Sequence, residues 1–581
     1  MGASQLPAKE RVALLSHAID LCTTLRDTLE RIGPSRWTRS PDFLSADEHA
    51  IVLKMHELES TLQRHLQEVN EKRNYALSPV SRLPDDVLRL IFLYMVDPEP
   101  DRDDHRSYID YIFVEGISRV SRRWRAVVLD TATLWADVSF ADPKYLADTD
   151  SDPIHPWYGS AKVLTRTAVR NLERSKLALL RVSMDVPAEP SVPAMVREYM
   201  RTCSGRVGEL TLTVGREARL LDAIVPCIAQ TAGVLRRFRF SVEDALYDVD
   251  GREAVEQLLA LHFPSLVDVR LTSIPLPLRH RQEYTALLGC RHLRLTIKHP
   301  LQFHLPQLLA LLKCTPVLED LYVTLMTFQD AAPPELEERL LLPELRNLNI
   351  RCPFSNIPHL PLVILSAPKL DRLALDYSYH PHDNAGLQDR HAPDIVAFLA
   401  ASVGPEGKPP PVRTLAIKGG MTRGLDRILP ALPELEVLRV VFDQGSIAEQ
   451  ELEVIALIDK LCPPIHSVEI GVPPPASFVC QRLRTLESLA FTTPSHLRPL
   501  IRLAARRKTA GIPLTRVRMD RWPSRWMSGG TGMPETPEEQ YALERALASE
   551  VDMLDCGQYR WDWDKGSQAP DGTRGGWSKV D

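Results

Sequence analysis

What the chain lacks narrows its class first. No stretch reaches the roughly 18 consecutive apolar residues that a membrane-crossing helix needs. The opening run MGASQLPAKERVALL holds neither a long apolar core nor a small-residue cleavage pattern, so no signal peptide is expected. No Asn-x-Ser/Thr sequon occurs. The 9 cysteines, dispersed from Cys22 to Cys556, form no CxxC pair, which suits buried thiols in a reducing compartment better than a disulfide framework. An intracellular protein is expected, with cytosol and nucleus left open and no membrane partner. A formal charge of -6 supplies no global basic field, which argues against nucleic acid and for partners with mixed surfaces.

Signatures of chemistry are also missing. There is no phosphate loop ending in GKS or GKT, and Gly529-Gly530-Thr531-Gly532 is too short and lacks the lysine. There is no HExxH, no GxSxG and no Cys/His set with metal-ligand spacing. Cys290 and His292 are neighbours without a second pair. No catalytic residue, metal or cofactor is expected, and the chain reads as a binding protein.

What is present is length and pattern. With 581 residues, 44% hydrophobic and 25% charged, the chain has material for a globular fold of more than one domain. Residues 1–80 read as helical. Val12, Leu15, Ile19, Leu25 and Leu29 mark a first helix over 8–31, and Gly33, Pro34 and Pro41 break it. Ile51, Met55, Leu58, Leu62, Leu66 and Val69 recur at spacings of three and four along a second helix over about 46–74. That face can close on the first helix as a hairpin, or pair with another chain as a short coiled coil.

Residues 81–140 form a small helical module. Pro84 suits a first helical turn and Asp85 and Asp86 suit its positive end. Leu83, Val87, Leu88, Ile91 and Phe92 make an apolar stripe; Ile117, Val120, Trp124 and Val127 space a second helix; Leu134 and Trp135 begin a third apolar patch. The segment resembles an F-box of the kind common in mushroom-forming fungi. The resemblance rests on three ordered blocks: Leu83, Pro84, Leu88, Ile91 and Phe92; then Val120, Arg122, Trp124 and Arg125; then Thr133, Leu134 and Trp135. It implies docking onto the Skp-type adaptor of a cullin–RING ubiquitin ligase. On that carry-over Leu83, Pro84, Val87, Leu88, Ile91, Phe92, Val120, Trp124, Leu134 and Trp135 serve the docking face or the core of the box. An insertion at about 98–116 separates the first two blocks. Its acidic front is expected to be a loop and Tyr108–Val114 an added turn or helix.

Residues 141–200 read as a polar linker and a capping region, with a helix at 162–177 and a strand from Leu179 to Val186. From 201 to 530 one signature recurs: often a proline, then apolar residues two, five and seven positions on. Clear copies start at Pro264, Pro316, Pro343, Pro368, Pro410, Pro433 and Pro463. Weaker copies are Val207-Leu210-Leu212, Leu235-Phe238-Phe240, Leu295-Ile297, Leu486-Leu489-Phe491 and Leu514-Val517-Met519. A repeat of this length ending in an alternating strand is the leucine-rich pattern, and stretches such as PDIVAFLAASV suit short helices between strands. The expected fold is therefore mixed α/β: an N-terminal helical region and a three-helix box, then an irregular, horseshoe-like leucine-rich repeat solenoid. The usual Asn after the strand is missing, with Met326 and Pro353 in its place, so the turns must close differently.

Strand residues between the apolar ones point to the opposite face. Arg270, Tyr322, Asn347, Asn349, Arg351, Arg372, Asp376 and Arg439 are the candidates for a target-binding face, and their mixed charge suits a protein partner. Residues 531–581 read as an acidic helix over Glu535–Met553, a short docking strand or cap at Asp555–Asp564, and a flexible tail; a local basic patch includes Arg506, Arg507, Arg516, Arg518, Trp522 and Trp526. The functional expectation is a substrate-recognition adaptor of a Skp–cullin–F-box ligase. The alternative is a ligase-independent repeat scaffold with a divergent box.

Overall fold

The computed structural model describes residues 20, 23, 46–77, 79–96, 106–140, 161–186, 200–214, 225–242, 255–273, 284–297, 305–325, 339–352, 361–377, 391–404, 406–419, 424–441, 455–463, 479–488, 494–520, 537–557, 559–561 and 577–579. The first predicted helix, apart from Asp20 and Thr23, lies outside them. So do the acidic front of the insertion, Met326, Pro353, and the Pro463 copy beyond its proline. The chain divides into two compact units, Met1–Leu88 and Arg89–Asp581.

The first unit contains α1 (Ala46–Leu77), a 3-10 turn at Pro79–Arg82 and the opening of α2 (Asp85–Val96). Leu53, Leu58, Leu66 and Val69 of α1 are exposed. The second unit is mixed α/β. It completes α2 and continues through α3 (Arg106–Val120) and α4 (Arg122–Asp130) into a sheet of 14 strands. Tyr108–Val114 of the insertion is thus helical, within α3. The spacing of Ile117, Val120, Trp124 and Val127 suggested one continuous helix. Ser121 divides it instead: extended backbone there (φ -156, ψ 163) lets its hydroxyl accept from the Trp124 amide at 3.1 Å, an N-cap that starts α4.

The sheet strands are β1 (Asp137–Phe140), β2 (Leu180–Val186), β3 (Val207–Val214), β4 (Arg237–Val242), β5 (Asp268–Thr272), β6 (His292–Ile297) and β7 (Asp320–Leu325). They continue as β8 (Asn347–Arg351), β9 (Arg372–Tyr377), β10 (Thr414–Gly419), β11 (Val437–Val441), β12 (Thr485–Ser488), β13 (Arg516–Asp520) and β14 (Met553–Gly557). Every strand pairs in parallel with the next in chain order. Parallel neighbours need a crossover, and helices such as α6 (Leu305–Lys313), α7 (His391–Ala401) and α8 (Pro494–Thr509) lie in those crossovers.

The recurring proline has a local cause. In Phe263-Pro264-Ser265-Leu266 the Leu266 amide donates to the Phe263 carbonyl at 3.2 Å, closing a β-turn with proline in its second position. Proline pre-sets the φ that position needs and has no amide to satisfy. The same bond closes the turns containing Pro316, Pro343, Pro368 and Pro433. After each turn, the carbonyl just before a strand accepts two amides from the next unit. Arg291 O takes Glu319 N at 2.8 Å and Asp320 N at 2.9 Å; Glu319 O takes Arg346 N at 2.8 Å and Asn347 N at 3.0 Å. This backbone clamp recurs from Arg236 to Arg484, so strand starts are held without any conserved side chain.

Alternation then separates core from surface. β4 reads half-buried and buried in strict turn, with Phe238 and Phe240 inward. Register carries that pair along the sheet: Phe238 sits beside Val269, Leu293 and Leu321 in sequence, and Phe240 beside Leu271, Leu295 and Val323. Leu308, Leu311 and Leu312 of α6, Phe398 of α7 and Leu503 of α8 close the same core from the helical side. Two repeat copies were misaligned by sequence. In β6 the paired apolar residues are Leu293 and Leu295, not Leu295 and Ile297, and Cys290 fills the leading leucine position. In β12 Leu486 pairs with Leu438 and Ser488 with Val440, which makes Leu486 a strand residue rather than the leading leucine; Leu489 and Phe491 lie outside the described residues. Apolar residues one pleat further on had mimicked the spacing. The short docking strand or cap expected from Asp555 is in part β14, the last strand of the sheet.

Arg507, placed by sequence in an exposed basic patch, is instead fully buried on α8. Its guanidinium donates to the Leu483 carbonyl at 3.0 Å and to Cys480 O at 3.1 Å, with Leu461 O at 3.4 Å. Cys480 stands at φ 55, a left-handed position that turns this chain segment towards α8. Burial pulls the Arg507 pKa down to about 10, which leaves it charged at neutral pH. Arg507→Ala strands these carbonyls and opens a cavity. A loss of about 3–5 kcal/mol is expected in denaturant melts, whereas Arg502→Ala, on the exposed side of α8, changes stability by less than about 0.5 kcal/mol.

Candidate functional site

Two regions hold the residues singled out by sequence. In the helical module, the structure splits them between interior and surface. Leu88, Phe92, Leu134 and Trp135 are buried to 4% exposure or less. Phe92 meets the Trp124 ring at 5.0 Å in a tilted pair. Trp135 donates its indole N–H to the Val128 carbonyl at 2.9 Å, and the Arg174 guanidinium lies 4.3 Å over its ring. These side chains are core. Val87, Ile91 and Val120 are exposed at 38%, 37% and 59%, and Pro84 is exposed as well, while Leu83 and Trp124 are half-buried.

Sequence reasoning missed three residues. Leu90, Tyr94 and Met95 of α2 are 66%, 72% and 49% exposed. With Ile91 they occupy adjacent turns of one helix face, opposite Phe92 and Val96. The available signal was the composition of α2 itself. LRLIFLYMV is apolar all round apart from its arginine, and a helix apolar on every side has more than one face to cover. The geometry is held from within the second unit: Arg89 reaches Asp130 and the Thr131 hydroxyl, both at 3.2 Å. Behind it Arg170, on α5 (Ala161–Arg174), pairs with Glu115 of α3 at 2.8 Å.

The second region is the sheet face opposite the helical core. Here in-register pairing arranges side chains in rows across the strands. The row nearest the strand starts runs Asp137, Arg181, Glu209, Arg237, Asp268, His292, Asp320 and Asn347, so its charges alternate. Arg181 grips Asp137 through two bonds of 2.6 Å, and Arg237 reaches Glu209 at 2.9 Å. Asp320 accepts from both His292 and Asn347. Two positions on, Arg439, Glu487, Arg518 and Asp555 alternate, with Arg439 and Glu487 2.9 Å apart. In the last row Asp376 takes Arg351 at 3.2 Å and Lys418 at 3.4 Å.

These contacts change what several sequence candidates can do. Arg270, Tyr322, Asn347, Asn349, Arg351, Arg372, Asp376 and Arg439 do share the outward face, as their strand positions require. Asp376, however, is fully buried, and Tyr322 and Asn349 are each 8% exposed. Asp376 and Arg439 are therefore struts between strands rather than surface contacts. Arg270 lies 3.7 Å from Asp268, and Arg294, which sequence reasoning passed over, stacks 4.5 Å over Tyr322.

Burial pushes the Cys290 and Cys480 thiols up to about 12, so neither is an activated thiol. Among the described residues no group of three or more His, Cys, Asp and Glu is placed to hold a metal ion. None of the described helices is long and apolar enough to cross a membrane. No protein-family model matches the chain, and no curated protein matches it.

The His292 pKa is raised, chiefly by its hydrogen bond to Asp320, with the charges of Asp320, Asp268 and Glu319 adding to it and burial opposing. A raised folded-state value means the histidine contributes stability fully below its unfolded pKa of about 6.5, and that contribution is lost as pH rises through the higher folded value. His292→Asn should therefore lower the thermal midpoint most near pH 6 and least near pH 9, read by parallel melts of the two proteins.

Proposed function

We propose that this protein is a substrate-recognition adaptor of a Skp–cullin–F-box ubiquitin ligase. In this reading α2 docks on the Skp-type adaptor and the long sheet, read as a leucine-rich repeat solenoid, holds a target protein. The observation that carries the reading is the uncovered apolar face of Leu90, Ile91, Tyr94 and Met95. Exposed apolar side chains clustered on one helix mark a surface meant for a partner. That helix lies inside the segment whose three sequence blocks resemble an F-box. The repeat reading is supported by parallel strands in chain order, steps of 24 to 31 residues between equivalent positions from Leu210 to Leu373, and a proline turn before many strands. Such a protein makes no bonds itself; it raises the effective concentration of its target at a ubiquitin-charged enzyme.

One observation favours a second reading. The insertion adds most of α3 between the first two blocks of the box, which fits a scaffold that no longer joins a ligase. One experiment separates the two. Purified chain is titrated with a Skp-type adaptor, alongside the double variant Leu90→Asp/Tyr94→Asp and the core variant Phe92→Ala. Adaptor reading: binding at micromolar concentration or tighter, lost by at least about 100-fold in the double variant with an unchanged melt, since both side chains are solvent-facing. Phe92→Ala should instead lower stability by about 3–5 kcal/mol. No adaptor binding by well-folded wild-type chain would leave the scaffold reading standing.

A further inference from the structure

One turn outside the helical module presents a leucine to solvent and holds it still. Ser175-Lys176-Leu177-Ala178 joins α5 to β2, and the Ala178 amide closes it on the Ser175 carbonyl at 2.8 Å. Leu177 is 90% exposed, more than any other large apolar side chain among the described residues. Ser175 beside it is fully buried: its hydroxyl donates to the Leu172 carbonyl at 2.8 Å and accepts from Arg206 at 3.0 Å. Lys176 stands at φ 49, a left-handed position that costs a residue with a side chain, and its ammonium lies 3.4 Å from Asp130. In the turns containing Pro264, Pro316, Pro343, Pro368 and Pro433 the third position holds Ser265, Val317, Glu344, Lys369 and Glu434. All but Val317 are polar, as exposure at a turn tip favours. A single exposed leucine on a loose loop needs no explanation. A leucine on a turn fastened at two residues and kept in a strained conformation points to a use.

Asp130 ties this turn to α2. One of its carboxylate oxygens accepts from Arg89 at 3.2 Å and the other from Lys176 at 3.4 Å. The residue after each cation is an exposed leucine, Leu90 and Leu177. The two leucines therefore flank one carboxylate, within the same compact unit. We propose that Leu177 is a second anchor for the Skp-type adaptor, which covers the apolar face of α2 and continues past Asp130 to take this leucine in an apolar pocket. The inference rests on the ligase reading and deepens it. The docking surface extends beyond the box-like segment, whose last block ends at Trp135, onto the turn that leads into β2. A side chain held in place beforehand loses little freedom on binding, which is what a fastened turn contributes to affinity. Contact at two separated points also orients the sheet towards the adaptor, which one helix face alone does less well.

The test titrates the full chain with a Skp-type adaptor. Leu177→Ser leaves the charges around Asp130 unchanged. It should weaken binding by at least about tenfold, as expected for one leucine buried in a pocket, with an unchanged melt because the side chain is solvent-facing. Leu177→Met should stay within about threefold of wild type, since the pocket needs an apolar chain of that volume. Lys176→Gly relaxes the left-handed position. It should melt no earlier than wild type and bind several-fold more weakly, a pairing that a merely structural turn would not give. Leu288→Ser, at an exposed leucine ahead of β6, is the control and should bind as wild type does. Should Leu177→Ser melt early, Lys176→Gly decides through its loss of affinity. Wild-type binding that survives Leu177→Ser overturns this inference alone and leaves the ligase reading standing. An equal loss in Leu288→Ser overturns it too. A well-folded wild-type chain that does not bind the adaptor sinks the ligase reading, and this inference with it.

Discussion

In-register parallel pairing is the constraint from which the rest of this structure follows. Each of the 14 strands lies beside the next in chain order, so every side chain meets its own equivalent from the neighbouring unit. A position occupied by leucine in one strand must be apolar in the next, or the core behind Phe238 and Val269 is interrupted. Along the row nearest the strand starts, charges are answered by the opposite sign, as Arg181 answers Asp137. No unit could bury its inward pair alone, so stability is shared between neighbours and the array holds together through its interfaces. The carbonyl clamp before each strand makes this independent of side-chain identity, since it uses only main-chain groups.

The same constraint limits what the outward face can offer a partner. Most of its charges are committed to adjacent strands. Asp376, caught between Arg351 and Lys418 with no exposure, is the extreme case. A carboxylate buried in that way is strongly tied to both cations, because losing either would leave charge uncompensated in a shielded site.

Much of the sheet was legible because two independent signals coincide in each unit. Alternation marks the strand, and a proline in the second position of a turn marks its approach. Where the proline is absent, alternation alone permits a slip. Ile297 satisfied the spacing one pleat too far along, while Cys290 and Ser488 held positions filled by larger apolar residues in neighbouring units. β14 was expected only as a short docking strand or cap from Asp555, because Leu554 and Cys556 make a short pair without a leading proline. Burial of Arg507 could not be read at all. Its partners are carbonyls of a distant segment, and nothing in the run ARRKT distinguishes it from exposed Lys508 next to it. In the helical module the difficulty was an excess of signal: in LRLIFLYMV the apolar residues point both ways, so spacing cannot say that Phe92 is core and Tyr94 surface.

That two-faced helix bears on how such an adaptor would work. From Arg89 onward the helical module and the sheet form one compact unit. Trp135 is the joint. It ends the module, fixes itself through the Val128 carbonyl, carries Arg174 on its ring, and leads directly into β1. Asn171 of α5 reinforces it by donating to the Asp137 carbonyl at 2.9 Å. A flexible linker between docking helix and target-binding face would dilute a bound target over the volume the linker sweeps. In an adaptor of that kind a packed joint would remove the dilution, because the sheet and the part of α2 from Arg89 onward belong to one compact unit. Geometry would then become part of specificity: a target would be placed productively only if its acceptor lysine lay at the matching distance from the bound segment. Loosening the Trp135 joint would weaken transfer to a target while leaving both binding steps intact, which is the signature of an adaptor that works by position.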